Sequence, residues 1–140
     1  MIELKGIRKQ FGDHVVFDDI DLALERGEII VIVGPSGTGK STLLRCINFL
    51  ETPDAGHLTV GDLSLDATRA TREQILALRR RTAFVFQNYA LFANKTALQN
   101  IAEGMIVVDG MPKAKAYARA REILERIGLA DKADAYPASL

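Results

Sequence analysis

The chain has 140 residues, 48% hydrophobic and 26% charged, with eighteen basic residues against eighteen acidic ones. That length suits about one domain with a real core, and the composition excludes a disordered or fibrous chain. The charge balance gives no bulk field for nucleic acid or anionic lipid, and the single cysteine, Cys46, excludes an internal disulfide or a cysteine-cluster metal site. In chain order, Ile2, Leu4 and Ile7 predict a first strand ending near Lys9, with a turn at "FGDH". Ile20, Leu22 and Leu24 then alternate with Asp19, Asp21 and Ala23, the period-two pattern of a half-buried strand. Gly27 turns the chain into "IIVIV", apolar on both faces, which predicts a strand buried inside a parallel sheet. From Lys40 the spacing of Leu43, Leu44, Ile47 and Leu50 predicts a helix that Pro53 stops, with Cys46 packed on it as an inert core thiol. "HLTVGDLSL" reads as a hairpin about Gly61-Asp62. A second helix over 72–80 precedes an aromatic strand, "TAFVFQ". Arg79, Arg80 and Arg81 at the end of that helix read as a solvated cationic face that suits the helix dipole. The last third is helical: "ALQNIAEGMI", then "PKAKAYARAREILERIGL", opened by Pro112 and closed by Gly128. With no signal-peptide pattern and no apolar run long enough for a membrane span, the sequence reads as a cytosolic chain.

The chemistry concentrates in "GPSGTGKST", residues 34–42. Gly34, Gly39, Lys40 and Ser41 fit G-x-x-x-x-G-K-[ST], set between the predicted strand and the predicted helix as that motif requires. Gly34, Gly37 and Gly39 free the backbone to wrap closely, so that successive N–H groups along Ser36, Gly37, Thr38 and onward can face an anion, with Pro35, which has no N–H, inside the same nucleotide-binding loop. The helix starting at Lys40 aims its positive end at the same place. Lys40 can then reach the β- and γ-phosphates, Ser41 can ligate Mg²⁺, and Thr42 completes the nucleotide-binding set. The bland alternative, a glycine-rich turn beside a surface lysine, fits the strand-turn-helix setting less well. GTPases pair this loop with N-K-x-D and D-x-x-G; "ANKTAL" puts Ala97 where the aspartate belongs, and D-x-x-G does not occur. A small-molecule P-loop kinase stays open at this point, as does a non-hydrolysing nucleotide-binding fragment.

With "RCINFLETPDAG" and "VFQNYALFANKTALQNI", the whole chain closely resembles the ATP-binding subunits of ABC transporters, those of bacterial polar amino-acid importers in particular. The resemblance implies an α/β P-loop NTPase core with an N-terminal antiparallel β subdomain and a partial α-helical subdomain. It implies one nucleotide-binding domain over 1–140, with the β subdomain and P-loop core over 1–87 and the glutamine loop and partial helical subdomain over 88–140. Phe11, in "KQFG", falls on the aromatic position that stacks on adenine, where the family more often has Tyr. Gln87 falls on the glutamine-loop position, which ligates Mg²⁺ and orients the attacking water. The implied ligands are ATP and Mg²⁺. The implied partners are transmembrane permease subunits, a second ATP-binding subunit, and indirectly a periplasmic or extracellular amino-acid-binding protein, at the cytoplasmic face of the membrane. Residues 88–108 would carry the docking surface, with Tyr89, Leu91 and Phe92 either as its anchors or as plain core residues.

"FANKT" stands where the family more usually has proline and histidine. The sequence ends at "YPASL", where the family continues into its Ser-Gly-Gly-Gln signature, so Leu140 is expected to be the first signature residue, with the Walker B aspartate, catalytic glutamate and switch histidine not among these residues. "MIVVD" mimics a Walker B strand, but Gly110 follows it and it lies inside the helical region, so Asp109 is expected in a loop at a helix end. His14 and His57 are expected at exposed polar turns.

Overall fold

The computed structural model describes residues 1–140. They form two compact units, Met1–Phe84 and Val85–Leu140. In the first, four strands make one antiparallel sheet in the order β2-β1-β3-β4: β1 (Ile2–Phe11), β2 (His14–Leu24), β3 (Ala55–Val60) and β4 (Leu63–Asp66). The register sets Leu4 opposite both Leu22 and Leu58, and Leu58 opposite Leu65. Leu4, Leu58 and Leu65 are almost completely buried, so one sheet face becomes a continuous apolar surface. Helix α1 (Lys40–Ile47) contributes Leu43, and α2 (Arg72–Arg81) contributes Leu78, to the same core. Each such side chain stabilises the fold by about 1.5–3 kcal/mol on burial. The predicted β3–β4 hairpin turns at Gly61, whose φ of 63° is left-handed. Thr71 and Gln74 form a reciprocal capping box that starts α2.

The arginines that end α2 do more than face solvent. Arg79 donates to the Phe49 carbonyl at 2.6 Å and, at 3.4 Å, to that of Asn48, which ties α2 to the chain leaving α1. Arg81 pairs with Asp62 in the hairpin turn and holds that exposed carboxyl below its usual range. The sequence reading of a purely solvated face therefore fails for two of the three.

Two predicted strands do not form. Residues 29–33 and 82–86 carry no strand, and Ile29, Val31 and Val33 are 88%, 76% and 83% exposed. A strand apolar on both faces takes its backbone partners from sheet neighbours on either side. Every strand formed here is committed to the antiparallel sheet, and none pairs with residues 29–33. The apolar pattern thus marks a place for neighbours rather than a conformation that holds alone.

The second unit is built on α3 (Ala97–Val107) and α4 (Lys113–Arg126). Ala102, Ala116 and Ala120 are fully buried between them, small enough to let the backbones approach, and Leu98 and Leu124 fill the flanks. Thr96 and Gln99 cap α3, while the amides of Ala97 and Leu98 donate to Ala135 and Ala133 and so pin the last segment to its start. Met105 to Val107 are helical and Asp109 is an exposed residue just past the helix, as the sequence reading has it.

Candidate functional site

The glycine loop joins residues 29–33 to α1. Gly37 and Gly39 have φ of 83° and 88°, which side chains disfavour, and Gly39 serves as the N-cap of α1. Gly39 is also packed against β2: a Cβ there would sit 2.5 Å from Val16 Cγ1 and 3.3 Å from Phe17 Cδ1. The helix start is therefore seated directly on the sheet. A cavity of about 360 Å³ opens beside the loop, with Phe17, Ile20 and Leu43 on its apolar side and Gly34, Thr38 and Lys40 on the loop side. Its apolar walls suit no phosphate, so the anion chemistry belongs to the loop.

That chemistry is visible in how the helix begins. The helices α2 and α3 satisfy their first amides with threonine capping boxes. Helix α1 has no side-chain cap, and its first internal bond runs from the Leu43 amide to the Gly39 carbonyl at 2.8 Å. The amides of Lys40, Ser41 and Thr42 are left pointing out of the helix start, where the dipole is positive. Lys40 curls over the same loop, its Nζ donating to the carbonyls of Gly34 (2.8 Å) and Pro35 (2.5 Å) and, at 3.4 Å, to Thr38 Oγ1. Thr38 Oγ1 in turn donates to the Pro35 carbonyl at 3.0 Å. Pro35, Ser36, Gly37 and Ser41 are exposed. An ammonium, free amides and a hydroxyl thus converge on residues 34–42, and this donor set suits a polyphosphate with a hard cation.

Phe11 belongs to the same unit. It ends β1 opposite His14 and is 50% exposed. Lys9 lies beneath it in the sense of the strand's alternation, two residues earlier, and its Nζ stands 4.8 Å from the Phe11 ring centroid. Only 6% of Lys9 is exposed; its ammonium donates to the Thr52 carbonyl at 2.8 Å and pairs with Glu51 at 3.0 Å and Asp54 at 3.7 Å. Burial alone would depress its pKa, but the Glu51 hydrogen bond and the Asp54 charge outweigh it and hold the value above the ordinary lysine range. Cys46, buried in α1, is the inert thiol expected: desolvation pushes its pKa up to about 11. His57 faces Asp66 across the hairpin, and His14 starts β2.

Gln87 lies in an exposed turn of the second unit. Tyr89 and Ala90 follow it with φ of 52° and 51°, strained for residues other than glycine. Tyr89, Leu91 and Phe92 are 86%, 45% and 52% exposed, so they are not core residues of this chain. Asn100 fastens the loop behind them: its Nδ2 donates to the carbonyls of Phe92, Lys95 and Thr96, and its Oδ1 accepts from the Phe92 amide at 2.8 Å. The sequence reading found neither this clamp nor the Lys9 cluster. The signal for Lys9 was present, because period two puts it on the side of β1 that carries Ile7, which is 1% exposed.

A family model described as ABC transporter matches residues 17–140. The chain is 54% identical, over all its length, to a probable amino-acid import ATP-binding protein, YxeO, of Bacillus subtilis, and covers 56% of that protein. It is 49% identical over 99% of its length to the L-cystine transport system ATP-binding protein TcyN of Escherichia coli, covering 57% of it. Among solved structures, a dimeric ATP-binding cassette in a post-hydrolysis state bound to ADP and Pi superposes with a TM-score of 0.83 at 29% identity, over all of this chain and 63% of that one. The chain therefore spans just over half the length of the curated relatives it matches. Its P-loop, the uncapped helix behind it and the α/β cassette fold agree with that match, and the chain belongs to the ABC transporter family.

Proposed function

We propose that this chain is the nucleotide-binding portion of an ABC import ATPase that couples Mg-ATP binding and hydrolysis to uptake of a polar amino acid. The observation that carries the reading is the uncapped start of α1 with Lys40 folded into the loop. Residues 1–87 would form the β subdomain and P-loop core, and residues 88–140 the glutamine loop and part of the helical subdomain. The phosphates would lie against the amides of residues 37–42 and the Lys40 ammonium, with the base on Phe11. Mg²⁺ would be held by Ser41 and Gln87 and would neutralise charge on the β- and γ-phosphates. Gln87 would orient the attacking water. The relatives named for amino-acid and cystine import support the substrate class, and the dimeric cassette supports pairing with a second ATP-binding subunit. No helix is long and apolar enough to cross a membrane, which fits work at the cytoplasmic face on permease subunits that an amino-acid-binding protein supplies from outside.

Stacking on Phe11 is worth about 1–3 kcal/mol and is indifferent to the base, since every base has a π-face. GTP is therefore expected to compete with ATP within about tenfold, or about 1.4 kcal/mol. Competition titration against a fluorescent ATP analogue checks this; a preference of several hundredfold would reveal a base-reading contact elsewhere.

The exposed aromatics after Gln87 are the docking candidates. Truncating an interface aromatic at a hot spot costs about 2 kcal/mol or more. The double variant Tyr89→Ala/Phe92→Ala is expected to weaken assembly with the membrane subunit at least about thirtyfold while ATP affinity changes little. Pull-down on permease-containing membranes measures it, and unchanged assembly removes the docking role.

A further inference from the structure

Near its end, β1 loses its sheet partner on one side: the last pair with β3 is Arg8 with Ala55. The turn that follows α1 takes over. The Asp54 amide donates to the Arg8 carbonyl at 2.9 Å, and Asp54 Oδ2 accepts from the Gln10 amide at 2.7 Å. Lys9 Nζ donates to the Thr52 carbonyl and pairs with Glu51 and Asp54. Residues 8–10 are thus gripped from a single turn at the far end of the P-loop helix, and the buried ammonium held there also sits on the Phe11 ring. Burying a lysine this deeply is costly unless its charge is used, and one carboxylate would suffice for pairing. The ring contact fixes an otherwise half-exposed side chain at the tip of a hairpin.

We propose that Lys9 is a positioning residue for nucleotide binding: held by the Glu51–Asp54 turn, it orients Phe11 as a stacking platform for the base and links that platform to the P-loop helix. The proposal rests on the reading of Phe11 as the base-stacking residue. A cation on the ring holds it in one rotamer, so that base stacking does not have to order it. The polyphosphate end of the ligand gains nothing from this contact.

That asymmetry supplies the test. ATP and inorganic tripolyphosphate are titrated calorimetrically into the wild-type chain and into Phe11→Ala, Lys9→Met and Lys9→Arg. Phe11→Ala is expected to weaken ATP and leave tripolyphosphate unchanged; if ATP binding is unaffected, the stacking reading itself falls, and Lys9 has nothing to position. Given that loss, Lys9→Met is expected to weaken ATP about three- to tenfold, the equivalent of about 0.6–1.4 kcal/mol, with tripolyphosphate unchanged. Lys9→Arg should stay within about twofold of wild type, and Lys9→Met added to Phe11→Ala should cost nothing more. Should Lys9→Met fail to fold, Lys9→Met/Glu51→Gln removes the cation together with a carboxylate it leaves behind and is read in the same way. Wild-type ATP affinity in a folded Lys9→Met variant, or an equal loss for ATP and tripolyphosphate, overturns the proposal.

Discussion

Lys40→Ala is expected to lower affinity for ATP by about 10- to 100-fold while leaving the melting temperature within about 2 °C of wild type. The Lys40 ammonium bonds only to oxygens of its own loop, at Gly34, Pro35 and Thr38, and no part of the buried core depends on it. Surface substitutions of that kind usually change stability by no more than about 0.5 kcal/mol. Hydrogen bonds from a charged donor are worth about 1.5–3 kcal/mol each, and an ammonium with three protons can serve phosphate oxygens and a loop carbonyl together. Calorimetric titration beside a thermal melt separates the two effects. Wild-type affinity would remove Lys40 from the binding site, and a melting temperature lowered by 10 °C would make it a structural residue.

What could be read from the sequence was what is decided locally. The Gly61-Asp62 turn fixes the β3–β4 hairpin, and Pro112 and Gly128 bracket α4. Of the spacing that predicted α1, Leu43 and Ile47 pack on the core, whereas Leu44 and Leu50 are 46% and 42% exposed and the helix ends at Ile47, well before Pro53. The P-loop was legible for the same reason, because glycines at fixed offsets, a lysine and a helix start are all encoded within nine residues. The failures lie where burial depends on distant partners. "IIVIV" and "TAFVFQ" have the composition of central strands, yet a ladder needs two sides and neither segment carries one within itself. Lys9 meets Glu51 and Asp54 more than forty residues along the chain, and Arg79 meets Phe49 thirty residues back. No periodicity encodes such pairs. The approach of Gly39 to Val16 is of the same kind: the motif explains why residue 39 is glycine for the loop, but only the packing shows that β2 also requires it.

A polypeptide of these 140 residues is expected to release no phosphate from ATP at a measurable steady rate, below about 10⁻² s⁻¹. Transfer of a phosphoryl group to water depends on positioning and on charge stabilisation by metal, lysine and a water-orienting group. Under the proposed assignment, Lys40, Ser41 and Gln87 would supply part of this. In the proposed function the remaining parts would be an acidic residue to secure Mg²⁺, a carboxylate to activate water, and a signature loop offered by an opposing subunit. Asp109, which follows the apolar residues 105–108, sits exposed after a helix rather than at the end of a strand. Absence of the general base alone costs about 10²–10⁴-fold. The support beneath the loop is weak as well, because residues 29–33, which feed directly into it, present Ile29, Val31 and Val33 to solvent instead of packing in a sheet. An exposed apolar run also favours association between molecules, so preparations should tend to aggregate and bind Mg-ATP weakly. Phosphate release is to be compared between the purified chain and its Lys40→Ala variant. Equal traces are the expected result. Lysine-dependent turnover near one per second, an ordinary enzyme rate, would mean that these residues already hold a complete catalytic set.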